Sequence, residues 1–223
     1  RHKKTTEEKE IVMNSKAKYY PTAFVLYLNY FVQGIATGVL GQQIMKEALV
    51  TQWGGDIVKD IGLVATVVAA AGLGRLIILP FADKLGRKIC VALGALLYAV
   101  SMFMIAKSPT MMVAYIGSLI SGSANSFLDC GVIPCCVEIL APRTGLATIL
   151  TKFFISGGQK VLPMILGFAA TASFGMTNVI FYTGVAFLVV AIFIFIAPVP
   201  KAEKTGEKQQ SLIQQLKGTK FTI

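Results

Sequence analysis

The sequence predicts an all-α fold: a polytopic membrane helix bundle with six transmembrane helices. Three observations carry that prediction. The 223 residues are 55% apolar and only 14% charged, against roughly 25% charged in a soluble domain, and the mean hydropathy is +0.68. Six apolar runs each approach or exceed the roughly 20 residues that a spanning helix needs. The charge is crowded at the two ends: residues 1–18 hold six of the 21 Lys/Arg residues and residues 201–223 hold five.

The first span is expected over Pro21–Gln42 and the second over Val58–Phe81. The third runs Ile89–Ala106, the fourth Pro109–Val137, the fifth Leu146–Ala172 and the sixth Thr177–Ala197. Charged or turn-forming stretches separate them: Lys46 to Lys59, residues 83–88, residues 107–109, residues 141–145, and Ser173–Met176. The third and sixth spans are the most uniformly apolar, and the fourth and fifth the most polar. Pro80, Pro134 and Pro163 are expected to break their helices. The domain plan is a basic tail at 1–19, the bundle at 20–198 and a linker at 199–223. The chain begins with Arg, so Met13 is a candidate start and residues 1–12 a candidate leader. The linker stops in a short amphipathic piece, which leads us to expect further protein beyond it.

Lys/Arg bias in short loops sets orientation. With the N-terminus inside, the inner side carries Lys84, Arg87, Lys88, Arg143 and both basic tails. The outer side then carries only Lys46, Lys59 and Lys107. Both termini are therefore expected in the cytoplasm, with the bundle in the cytoplasmic membrane. Basic tails beside membrane spans orient them or touch anionic lipid, so nucleic acid is not an expected partner. Cys90, Cys130, Cys135 and Cys136 form no CxxC pair, and the only histidine, His2, lies in the tail. Zinc, redox and His-based catalysis are thus unsupported, and no P-loop is present. No metal, no cofactor and no enzymatic activity are expected.

Charged groups in hydrocarbon cost at least about 2.5–3.5 kcal/mol, so those that occur usually serve a function. Four stand out: Arg75, Asp129, Lys152 and Lys160. Three polar stripes accompany them at helical spacing. They are Asn29, Gln33 and Thr37 on the first span; Ser118, Gly122, Asn125 and Asp129 on the fourth; and Lys152, Ser156 and Gln159 on the fifth, with Lys160 beside it. Together they predict a shared wet interior. A buried carboxylate opposite a basic residue can take and release a proton, so the expected coupling ion is the proton. Three cations around one anion favour a small polar organic solute with anionic character. The bland alternative is that the Ser, Gly and Asn residues act as glue between helices.

Residues 79–88, Leu-Pro-Phe-Ala-Asp-Lys-Leu-Gly-Arg-Lys, resemble the signature loop of the major facilitator superfamily. That loop joins the second and third helices and reads Gly-x-x-x-Asp-Arg-x-Gly-Arg-Arg/Lys. Asp83, Gly86, Arg87 and Lys88 match it; Lys84 stands for Arg, and Leu79 replaces the first Gly. Asn125 to Pro134 is similar to the fourth helix of fucose-permease-like members, where an acidic residue faces the cavity. Gly158, Pro163 and Gly167 resemble the antiporter motif of the fifth helix, while the basic motif at the start of the fourth is missing. The resemblance covers residues 20–200 and implies one six-helix half of a twelve-helix transporter, with solute bound between the halves. It implies a gating or structural role for the signature loop and a C-terminal six-helix half as partner. The competing readings are a six-helix channel and a non-transporting membrane assembly protein, either acting as a dimer.

Overall fold

The computed structural model describes residues 16–56, 58–74, 76, 78, 86–141, 143–172 and 174–199. The described residues form α-helices joined by short turns. Helix α1 is Tyr20–Gly38, α2 Gln43–Trp53, α3 Lys59–Gly72, α4 Arg87–Lys107, α5 Met111–Ile139, α6 Thr144–Thr171 and α7 Met176–Ile196. Short 3-10 turns, Ala17–Tyr19 and Val39–Gly41, flank α1. Five of these segments are long and apolar enough to cross a membrane: α1 with its flanking turns, α4, α5, α6 and α7. The second expected span begins as α3 and continues into residues outside the described set.

The ends of the last four spans fall within two residues of expectation. The reason is physical: in hydrocarbon an unpaired backbone group is so costly that an apolar run is held helical throughout. The same constraint corrects two expectations. Helix α5 continues through Pro134 and α6 through Pro163 without a break. Neighbouring helices and local adjustment can satisfy the groups a proline frees, whereas lipid offers an opened backbone nothing. Pro80 lies outside the described residues.

A second correction concerns the stretch from Lys46 to Lys59, expected as a connection. Most of it belongs to α2, which buries Met45, Leu49 and Trp53 at steps of four. The Trp53 indole N–H donates to Ser108 Oγ at 2.5 Å, and the Gln52 amide donates to Ser108 O at 2.7 Å. These bonds pin α2 to the end of α4.

Helix α4 is the centre of the bundle, packed between α5 and α7. Tyr98 stacks on Phe187 of α7 at 4.6 Å between ring centroids, and both rings are buried. Helix α1 packs on α6 and α7, and α3 packs on α5. At the α1–α6 crossing, a methyl on Gly34 would overlap the Ile155 carbonyl, and one on Gly158 would overlap the Phe31 carbonyl. The two backbones therefore touch, as small residues allow between membrane helices. Helices α5 and α6, at 29 and 28 residues, extend about 42–44 Å at about 1.5 Å per residue. That exceeds the roughly 30 Å of hydrocarbon, a surplus that tilt or extension beyond the hydrocarbon accommodates.

Candidate functional site

The α1 and α5 stripes meet. Helices α1 and α5 run antiparallel, so Tyr30 and Gln33, three apart, oppose Asp129 and Asn125, four apart. The Gln33 amide donates to Asn125 Oδ1, and the Tyr30 hydroxyl donates to Asp129 Oδ1 at 3.1 Å. Tyr30 is fully buried, while Asn125 and Asp129 are partly exposed. The hydroxyl of Tyr98, from α4, lies near Ser121 and Gln33. A carboxylate is thus held at mid-bundle by a phenol, beside a cross-helix amide pair.

The α6 stripe meets them only at its edge. Gln159 donates to Thr37 Oγ1 at 3.4 Å. Lys152, Ser156, Gln159 and Lys160 are all exposed on α6. The lysines therefore look out from one open face of the bundle and do not close over Asp129. Arg75, the remaining expected cation, lies outside the described residues. Asn29 shares the α1 stripe but is wholly buried, and neither its amide nitrogen nor its amide oxygen finds a partner among the described residues.

The upper members of the α5 stripe do structural work. Ser118 is buried and bonds back to Ala114 O at 2.7 Å. At Gly122, a methyl would overlap the Val68 carbonyl of α3. Gly122 thus serves close packing between helices and Ser118 bonds within its own helix, while Asn125 and Asp129 face a partner across the helix pair.

A second cluster forms at the basic end of the bundle. Gly86 caps α4 with φ +88°, a backbone state that suits glycine. Next to it, Arg87 pairs with Glu138 at the end of α5. Lys88 Nζ donates to Ala197 O at 2.9 Å, which closes the C-terminus of α7, and Lys16 Nζ donates to Glu138 O at 3.0 Å. The Thr22 hydroxyl donates to Pro198 O at 2.6 Å. The ends of α1, α4, α5 and α7 are tied together here. Asp83 and Lys84 lie outside the described residues. Sequence reasoning missed Glu138 because it sits one residue past the expected fourth span, although its charge opposite Arg87 was a usable signal. It also missed Tyr30 and Tyr98, which read as ordinary apolar filling.

An apolar groove of about 460 Å³ opens between α1, α6 and α7, lined by residues such as Val32, Phe168 and Tyr182. Among its lining residues there is no charged group, so it is distinct from the polar site.

The Major Facilitator Superfamily model matches residues 20–222. The chain belongs to that superfamily. It is a multi-pass membrane protein with the helical architecture of one half of the superfamily fold. It is 35% identical over 185 residues to the inner membrane transport protein YdiM of Escherichia coli, covering 81% of this chain and 43% of YdiM. It is 31% identical over 195 residues to YfkL of Bacillus subtilis, described as an uncharacterized MFS-type transporter, covering 85% of this chain and 48% of YfkL. It is 30% identical over 167 residues to the quinolone resistance protein NorA of Staphylococcus aureus, covering 69% of this chain and 39% of NorA. The chain thus spans less than half the length of these curated relatives.

Proposed function

We propose that the chain is the N-terminal half of a secondary active transporter that moves a small polar organic solute across the cytoplasmic membrane. Asp129 is the coupling carboxylate and the proton the coupling ion. The observation that carries this reading is Asp129 itself, an acidic residue within a spanning helix, held by Tyr30 and still partly exposed. A carboxylate so placed can exchange a proton with a cavity as access alternates. The relatives support transport as the general activity, since YdiM is named a transport protein. Lys152 and Lys160 on the open face of α6 favour a solute with an anionic group. A second six-helix half is the partner that would turn this open face into a closed pathway. The basic end, with Lys16, Arg87, Lys88 and Arg143, faces the cytoplasm by the positive-inside rule.

The test uses the full-length protein in proteoliposomes with an imposed pH gradient. The probes are monocarboxylates, sugar acids, neutral sugars and, because one relative is a quinolone resistance protein, a quinolone. Solute movement driven by the gradient is expected for at least one acidic probe. Asp129→Asn is expected to abolish gradient-driven movement while solute exchange without a gradient persists. Gradient-driven movement unchanged in Asp129→Asn would remove Asp129 from the coupling step.

A further inference from the structure

The backbone winding changes where α3 ends. Helix α3 ends at Gly72. The Leu73 and Gly74 amides then bond three residues back, to Ala70 O at 3.1 Å and Ala71 O at 3.0 Å. The Leu76 amide does the same, reaching Leu73 O at 3.1 Å instead of Gly72 O, and four-residue bonding returns with Ile78 N–H to Gly74 O at 2.9 Å. These three-residue bonds mark a turn at the end of α3, at two glycines and with no proline among residues 70–78. Such bonds have poorer geometry and often mark hinges. The carbonyl that the tighter winding releases is taken up from the neighbouring helix, where the Ser126 hydroxyl donates to Gly72 O at 2.9 Å.

The segment before the turn is lightly held. Of its 14 residues, α3 buries only Ile61 and Val64. It rests on α5 at Gly122, where the Val68 carbonyl approaches within the space of a methyl group. Beside it lies a cavity of about 90 Å³, bordered by Val64 and Val68 of α3, by Ala36 and Thr37 at the end of α1, and by Tyr98 of α4 and Ser121 of α5. Tight interiors are bistable and resist continuous deformation, so a small void next to a weakly anchored rod gives that rod somewhere to go.

We propose that residues 72–74 form a pivot about which Lys59–Gly72 tilts against α5. The Ser126 hydroxyl is the clasp that holds the pivot bent, and the cavity is the space the tilt takes up. Gly122 is the fulcrum. A tilt of this segment changes the width of the bundle at the end that carries Lys59 and leaves the tied basic end undisturbed. Its use in alternating access rests on the transporter reading; the pivot itself does not.

The test is hydrogen–deuterium exchange on the full-length protein in lipid nanodiscs, with α4 as the internal reference. Amides of residues 70–78 are expected to exchange faster than those in the middle of α4. Ser126→Ala is expected to raise their rate about fivefold, the loss of one ordinary hydrogen bond, with α4 unchanged. Exchange at residues 70–78 as slow as in α4 in the unmodified protein overturns the pivot, and this comparison needs no variant to fold. A faster native segment whose rate is indifferent to Ser126→Ala overturns the clasp.

Discussion

Helices α4 and α6 both cross the membrane, but the bundle treats them oppositely. In α4, 61% of the most apolar stretch is buried inside the protein; in α6 the figure is 22%. Helix α4 is covered on both flanks and carries no charge between its first and last turns. Helix α6 is attached mainly along the α1 seam and exposes two lysines, a serine and a glutamine beside Phe153, Met164 and Phe168. A residue buried in α4 is there for packing, which membrane helices need because lipid tails are as apolar as their own side chains. A polar residue exposed on α6 has no such explanation and is the better candidate for contact with solute or with a second half.

This contrast can be broken by substitution. The largest effect is expected where α6 does touch the bundle. Gly158→Leu forces a side chain into the Phe31 carbonyl and should abolish the monodisperse peak in size-exclusion chromatography. Phe187→Ala, which removes the ring stacked on Tyr98, is expected to cost about 3–5 kcal/mol and to lower the midpoint of thermal unfolding in detergent. Arg87→Ala removes the guanidinium paired with Glu138 and is expected to cost about 1–2 kcal/mol, less than a fully buried pair because both side chains keep some solvent. The exchange Arg87→Glu with Glu138→Arg should recover part of that loss. The smallest effect belongs to the open face. Phe168→Ala and Lys160→Gln should each change stability by less than about 0.5 kcal/mol, while Lys160→Gln weakens movement of acidic solutes in the transport assay. A large stability loss from Phe168→Ala would show that α6 is covered within this half after all.

The spans were legible because hydropathy and helix geometry constrain one another in a bilayer. The signature loop was legible as a pattern, and Arg87 and Lys88 do bind the ends of neighbouring spans. Helix α2 was harder: Met45, Leu49 and Trp53 recur at steps of four, but Gln, Lys and Glu surround them and average hydropathy hides the stripe. The prolines misled because their cost is read for an isolated helix, whereas within a bundle neighbouring helices and local adjustment satisfy the groups they free. At the candidate site, the stripes on α1 and α5 were visible in the sequence. Their mutual register was not, since it depends on the tilt and rotation of two helices that lie far apart in the chain. That register selects Tyr30 over Asn29 as the residue that reaches Asp129.

The long reach of these contacts has a consequence for biogenesis. Gln33 waits 92 residues for Asn125, Tyr30 waits 99 for Asp129 and Thr37 waits 122 for Gln159. At roughly 5–20 residues per second of synthesis, the first span stands in the bilayer for roughly 5–25 s before its polar side is met. During that interval Asn29, Gln33 and the bare backbone at Gly34 form an unsatisfied strip on a nascent chain. The fourth span then answers Gln33 through Asn125 and the fifth covers Gly34, while Asn29 keeps no partner among the described residues.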